Sequence, residues 1–171
     1  MTTPIVKKPP RYDPVAYIRE ALSPIAKQLA QDVDDLVWVY IEAISTDPQV
    51  HFQPLAVAAA KAELHKEFSL TVVPGVLSLR IAVDIDTGAN WKASLTVTPT
   101  VFGFGLTPSS ISLSSEQKEI TIHPSIAVAG VDLTLGLYGS NLCFGVSGRA
   151  WYWAFGKHYK SFDAKDLFCI L

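Results

Sequence analysis

The hydrophobic period of this chain changes near Phe68. Before it, apolar residues recur every three to four positions; after it they alternate with polar ones, and that pattern runs to the C-terminus. The first period belongs to helices that bury one face, the second to strands with one buried and one wet face. The expected fold is α+β: an N-terminal helical hairpin packed on an antiparallel β-barrel or β-sandwich of about eight strands.

Three parts follow from this reading. Residues 1–12 form a flexible arm, since Lys7, Lys8, Pro9, Pro10 and Arg11 favour extended chain. Residues 13–67 form the helical segment and residues 68–171 the β body, the whole making one globular domain. Asp13-Pro14, Ser23-Pro24 and Gln53-Pro54 share the form of a helix start, because proline lacks only an N–H that the first turn leaves unpaired. Pro24 is expected to divide a short first helix from a second over about 24–45. That second helix carries Ile25, Leu29, Val33, Leu36, Val37, Tyr40, Ile41 and Ile44 on one stripe. A third, alanine-rich helix is expected over 54–67.

In the β body, Leu77, Leu79, Ile81, Val83 and Ile85 face one way against Ser78, Arg80, Ala82, Asp84 and Asp86. Trp91 to Thr98 and Val131 to Tyr138 repeat the alternation. Eight of the ten glycines lie between Gly103 and Gly156, several within strand patterns, where they mark curvature or a backbone floor beneath another group.

Composition narrows the function classes. Residues 1–67 hold seven Lys/Arg and nine Asp/Glu, and residues 68–171 seven of each, so neither part has a basic surplus for nucleic acid. Mean hydropathy is +0.26, high for a chain with no run near the roughly 18 apolar residues of a spanning helix. Met1 to Arg11 has no apolar stretch of the secretory kind, so the expected location is cytoplasmic, or outside by a leaderless route. Cys143 and Cys169 are read as a buried thiol and a near-terminal one, with a single bridge as the alternative.

Chemistry-bearing motifs are sparse. Asp86-Thr87-Gly88 after a strand resembles the catalytic loop of aspartic proteases, in which paired aspartates share a proton. The later Val146-Ser147-Gly148-Arg149 resembles the Gly-Arg stretch of the retroviral type. The match departs from that pattern at Asp84 and Ser147 and lacks the glycine-rich flap, so a hairpin turn is the preferred reading of these residues. Asp84 and Asp86 share a strand face, as a weak cation site would, or as a solvated edge. Gly145-Val146-Ser147-Gly148 is one residue short of a nucleophile elbow. His51, His65, His123 and His158 have no metal-ligand spacing, and neither a metal nor a cofactor is expected.

The strongest departure from an ordinary core is Arg149 to Tyr159. Trp151, Trp153 and Phe155 are expected on one side of a strand and Tyr152 on the other, so something besides water covers the second face. Arg149, Trp151, Tyr152, Trp153, Phe155 and Tyr159 are the expected ligand-binding residues. The function that fits is a non-enzymatic binding protein for an apolar or amphipathic, lipid-like ligand. The alternatives are a membrane-active protein whose helix 24–45 inserts, a glycan-binding module stacking sugars on Trp151 or Trp153, and a small-barrel enzyme. The expected partners are a small hydrophobic ligand or a membrane surface, with a homodimer if a sheet edge is unpaired.

Overall fold

The computed structural model describes residues 13–55, 65–86 and 90–170. Residues 1–12, read from the sequence as an arm, lie outside the described residues. Two helices come first: α1 (Pro14–Leu29) and α2 (Val33–Ile44). Among the described residues eleven strands follow: β1 (His51–Leu55), β2 (His65–Val73), β3 (Leu77–Asp86), β4 (Lys92–Val101), β5 (Phe104–Gly105), β6 (Ser109–Ser114), β7 (Glu119–Ile122), β8 (Ser125–Ile126), β9 (Ala129–Tyr138), β10 (Cys143–Trp153) and β11 (Lys157–Cys169).

The capping expectation holds at the first helix. Asp13 accepts from the backbone N–H groups of Val15 and Ala16 at 3.0 and 3.3 Å, with Pro14 in the first turn. Pro24 does not divide the helix; α1 runs through it and ends five residues later, at Leu29. The break falls at Ala30, which takes the left-handed conformation (φ 54°) that closes a helix C-terminus. Asp32 then caps α2 by accepting from the Asp34 N–H at 2.8 Å. The helical hairpin is therefore α1–α2, packed together and bridged by Arg19 and Asp34 at 2.5 Å. The third helix is not found in the described part of its range. Pro54 and Leu55 end β1, His65 to Glu67 begin β2, and residues 56–64 are not among those described.

The strands form two antiparallel sheets and no closed barrel. The six-stranded sheet has the order β1-β2-β3-β4-β5, with β6 also on β4; the five-stranded sheet has the order β11-β10-β9-β7, with β8 also on β9. The alternation read from the sequence sets their faces. Leu79, Ile81 and Leu95 of one sheet and Leu133, Leu135 and Phe144 of the other are buried, at most 1% exposed. Phe68 meets Phe144 and Phe168 across the gap, with ring centroids 5.6 and 6.1 Å apart. These side chains fill the space a barrel ligand would need.

The helices belong to the same core. Ile18, Leu22, Ala26, Leu36, Val37 and Tyr40 join the strand residues in one continuous apolar cluster. Tyr40 fixes the join. Its buried hydroxyl donates toward the Trp153 and Val128 carbonyls (2.5 and 3.0 Å) and lies 3.2 Å from the Trp153 N–H. Burial pushes this phenol well above the ordinary tyrosine range.

Candidate functional site

The expected aromatic site divides between two faces of β10. Arg149 and Trp151 alternate onto the outer face, where they pair in register with Ser161 and Tyr159 of β11. Tyr152 alternates to the opposite, buried side. Its hydroxyl donates to Asp47 just beyond α2 at 3.0 Å, and its ring stacks on His158 at 5.1 Å. Burial, then the bond to Asp47, raises the Tyr152 phenol; the same bond, joined by Lys160, holds the Asp47 carboxyl below its ordinary value. Trp153 is 9% exposed and lies against Tyr17 of α1 at 4.3 Å. Tyr152 and Trp153 therefore fasten the helices to the sheet.

The outer rings are engaged by cations. The Arg149 guanidinium lies over Tyr159 at 4.2 Å and the Lys157 ammonium over Trp151 at 4.5 Å. Trp151 packs down on Gly130, where a Cβ would come within 2.8 Å of its indole nitrogen. Tyr138 covers Gly136 in the same way, at 2.5 Å. The glycine floors thus lie beneath the protein's own rings. A sugar stacking on Trp151 or Tyr159 would have to displace a cation first. Phe155 stands apart, in the turn between β10 and β11.

Among the remaining motif residues, Asp84 and the histidines are already partnered. Asp84 pairs with the His65 ring nitrogen Nδ1, and Asp86 stands opposite Lys92 at the end of the β3–β4 ladder. Residues 87–89, which complete the Asp-Thr-Gly motif, are outside the described residues. His123 bonds Asp132 at 2.7 Å and His51 bonds Gln53 at 3.0 Å. Among the described residues, no group of three or more His, Cys, Asp or Glu side chains is placed to hold a metal ion. The two cysteines are not separate thiols. Cys143 and Cys169 stand directly opposite on β10 and β11 and form a disulfide.

Two hollows of ligand-site size lie against the sheets. One, about 480 Å³, lies on the outer face of the five-stranded sheet and is lined by Glu119, Tyr138, Ser147, Asp163, Lys165 and Asp166. Its charges largely satisfy one another: the Tyr138 hydroxyl donates to Glu119 at 2.8 Å, and Lys165 pairs with Asp163 at 3.5 Å. Burial, then that bond to Glu119, raises the Tyr138 phenol well above the usual range.

The other hollow is apolar and runs along the seam between the sheets. One part, about 350 Å³, opens between Val97, Pro99 and Ile111 of the six-stranded sheet and Ile122 to Ile126 of the other. The next, about 300 Å³, continues between Ser125 to Ala127 and the α1 face of Ala21, Pro24, Ile25 and Leu29. Val101, Leu106, Ser125 and Ile126 border both, so the two make one groove. The polar side chains bordering it are few: Ser109 and His123 in the first part, Gln28 in the second, and Ser125 in the wall the two share. Along α1 the groove begins one turn beyond Tyr17, the residue stacked on Trp153. Sequence reading placed Ile25 and Leu29 on an apolar stripe but could not show that the stripe borders a groove.

No protein-family model matches the chain, and neither a curated protein nor a solved structure shows significant similarity to it.

Proposed function

We propose that the protein is a non-enzymatic binding protein that holds the apolar chain of an amphipathic, lipid-like molecule in the seam groove. The reading rests on one observation above the others: a continuous groove walled mostly by aliphatic side chains, with Ser109, His123, Ser125 and Gln28 as its few polar side chains. Aliphatic walls favour a hydrocarbon chain through non-directional burial, and sparse polar groups fix the position of one head. Ser109 and His123 at one end suit such a head, and α1 forms one wall. The expected aromatic residues then act indirectly. Trp153 and Tyr152 hold the helices in place, while Arg149, Trp151 and Tyr159 lie on the outer sheet face.

The Cys143–Cys169 bridge favours an oxidising compartment over the cytoplasm expected from the sequence, because cytosolic thiols are kept reduced. It does not bear on which molecule is bound.

Titration with a fluorescent medium-chain fatty acid tests the reading. Wild type is expected to bind with a Kd below about 100 μM. Ala21→Trp, which fills the groove beside α1, is expected to weaken binding about tenfold or more while the melting temperature holds. Ile126→Lys, which puts a charge into the shared wall, is expected to do the same. No saturable binding by wild type, or unchanged binding by both variants, would sink the proposal.

A further inference from the structure

We infer that the β10–β11 hairpin docks the protein on an anionic membrane surface, with Phe155 entering the interface and Lys157 meeting lipid phosphate. The inference stands on different residues from the seam groove and holds whether or not the groove carries a ligand.

Phe155 is the most exposed large apolar residue among those described, at 78%. It also sits in the left-handed region, at φ 58°, which a bulky side chain adopts only under constraint. Solvent exposure and backbone strain both oppose a phenylalanine here, and neither is repaid by packing within the chain beyond a contact with Trp153 at 6.3 Å. A residue at a hairpin tip that is poor for folding on both counts suits a partner that takes up the ring.

Charge selects the partner. From Cys143 to Phe162 the chain holds Arg149, Lys157 and Lys160 and not one Asp or Glu, in a protein of net charge −2. The neighbouring carboxylates are engaged: Asp132 opposite Arg149 is bonded by His123, and Asp47, beside Tyr152 near the tip, is held by Tyr152 and Lys160, which leaves Lys157 as the tip's unpaired cation among the described residues. Lys157 lies over Trp151 and forms no ion pair with a carboxylate among the described residues. Trp151 and Tyr159 behind it are the amphipathic rings favoured at the level of lipid head groups. A Phe tip, a lysine and a belt of Trp and Tyr together fit an anionic bilayer. A protein partner would not require this one-signed charge.

The helices fit that role less well. Trp38 on α2 is 72% exposed, but Asp34 and Asp35 stand one turn before it and would be repelled by anionic lipid. No helix of the described residues is long and apolar enough to cross a membrane. The membrane contact therefore belongs to the hairpin, not to the helix 24–45 that the sequence suggested.

Vesicle flotation of the full chain tests this. The vesicles are phosphatidylcholine alone, or phosphatidylcholine with phosphatidylserine at about two to one. Wild type is expected to float with the anionic vesicles at low salt, and poorly with the neutral ones. Phe155→Asn is expected to weaken binding about tenfold or more, and Lys157→Gln about fivefold. Asparagine tolerates the left-handed conformation, so Phe155→Asn is expected to keep or raise the melting temperature, which a structural role for Phe155 would lower. Ala21→Trp is expected to lose the fatty-acid probe and keep the vesicles, which separates this inference from the groove reading. Wild type that binds neither vesicle, equal binding to both, or full binding by Phe155→Asn overturns it.

Discussion

Removing one oxygen atom, with Tyr40→Phe, should loosen the helical hairpin from the sheets. Tyr40 is fully buried, and its hydroxyl reaches the Trp153 carbonyl and N–H at the end of β10 and the Val128 carbonyl just before β9. One proton serves only one acceptor, so the shorter contact, to the Trp153 carbonyl at 2.5 Å, carries the bond. The Trp153 N–H keeps its own bond to the Val128 carbonyl at 2.8 Å and is not orphaned by the change. The loss is then about one net hydrogen bond plus part of the cost of a bared carbonyl, about 2 kcal/mol in all. For a chain of 171 residues this lowers the melting temperature by about 4–8 °C. Urea unfolding followed by tryptophan fluorescence and by far-UV circular dichroism reads it. The two probes should shift together, because helices and strands share one core. A loss below about 0.5 kcal/mol, or a helical transition separate from that of the sheets, would refute the reasoning. Because α1 walls the groove, probe binding by Tyr40→Phe should also weaken.

Replacing both Cys143 and Cys169 by serine opens a closure spanning 26 residues and should cost about 3 kcal/mol, measured by chemical denaturation. An equal denaturation midpoint with and without reductant would contradict a formed bridge. Gly130→Ala pushes a Cβ into the Trp151 indole and should destabilise by about 1–3 kcal/mol with a change in tryptophan emission; unchanged emission would show that the ring does not lie there. Asp47 titrates below its ordinary 3.8 in the folded chain, so its contribution is full above that pH and fades as pH falls through the lower folded value. The stability gap between wild type and Asp47→Ala should therefore be flat near neutral pH and narrow in acid, and a gap that widens in acid would reverse the assignment.

The β body was legible because its residues alternate strictly. Leu77 to Asp86 and Val131 to Tyr138 each declare a buried and a wet face, and β3 and β9 follow them residue by residue. The helix boundaries were less so. Pro24 looked like a start but lies within α1, while the real break uses Ala30 in a conformation that sequence usually assigns to glycine. Gln53-Pro54 looked like another start, yet Pro54 sits in β1, an edge strand where a missing N–H costs the ladder little. The disulfide needed the register of β10 on β11, which a spacing of 26 does not give. The aromatic cluster was found, but not the cations over its rings. The seam groove was invisible for a simpler reason: β4, the residues around β8, and α1 meet only in the folded chain.

The central claim is that an apolar chain lies in the groove between α1 and the two sheet edges. Methyl NMR of the isoleucines and leucines, with a dodecyl-chain fatty acid added stepwise, tests it most directly. The account predicts saturable shifts at Ile25, Leu29, Leu106, Ile111 and Ile126, with core methyls such as Leu79 and Leu133 unmoved. Shifts absent from the groove, or spread evenly over the surface, would contradict it.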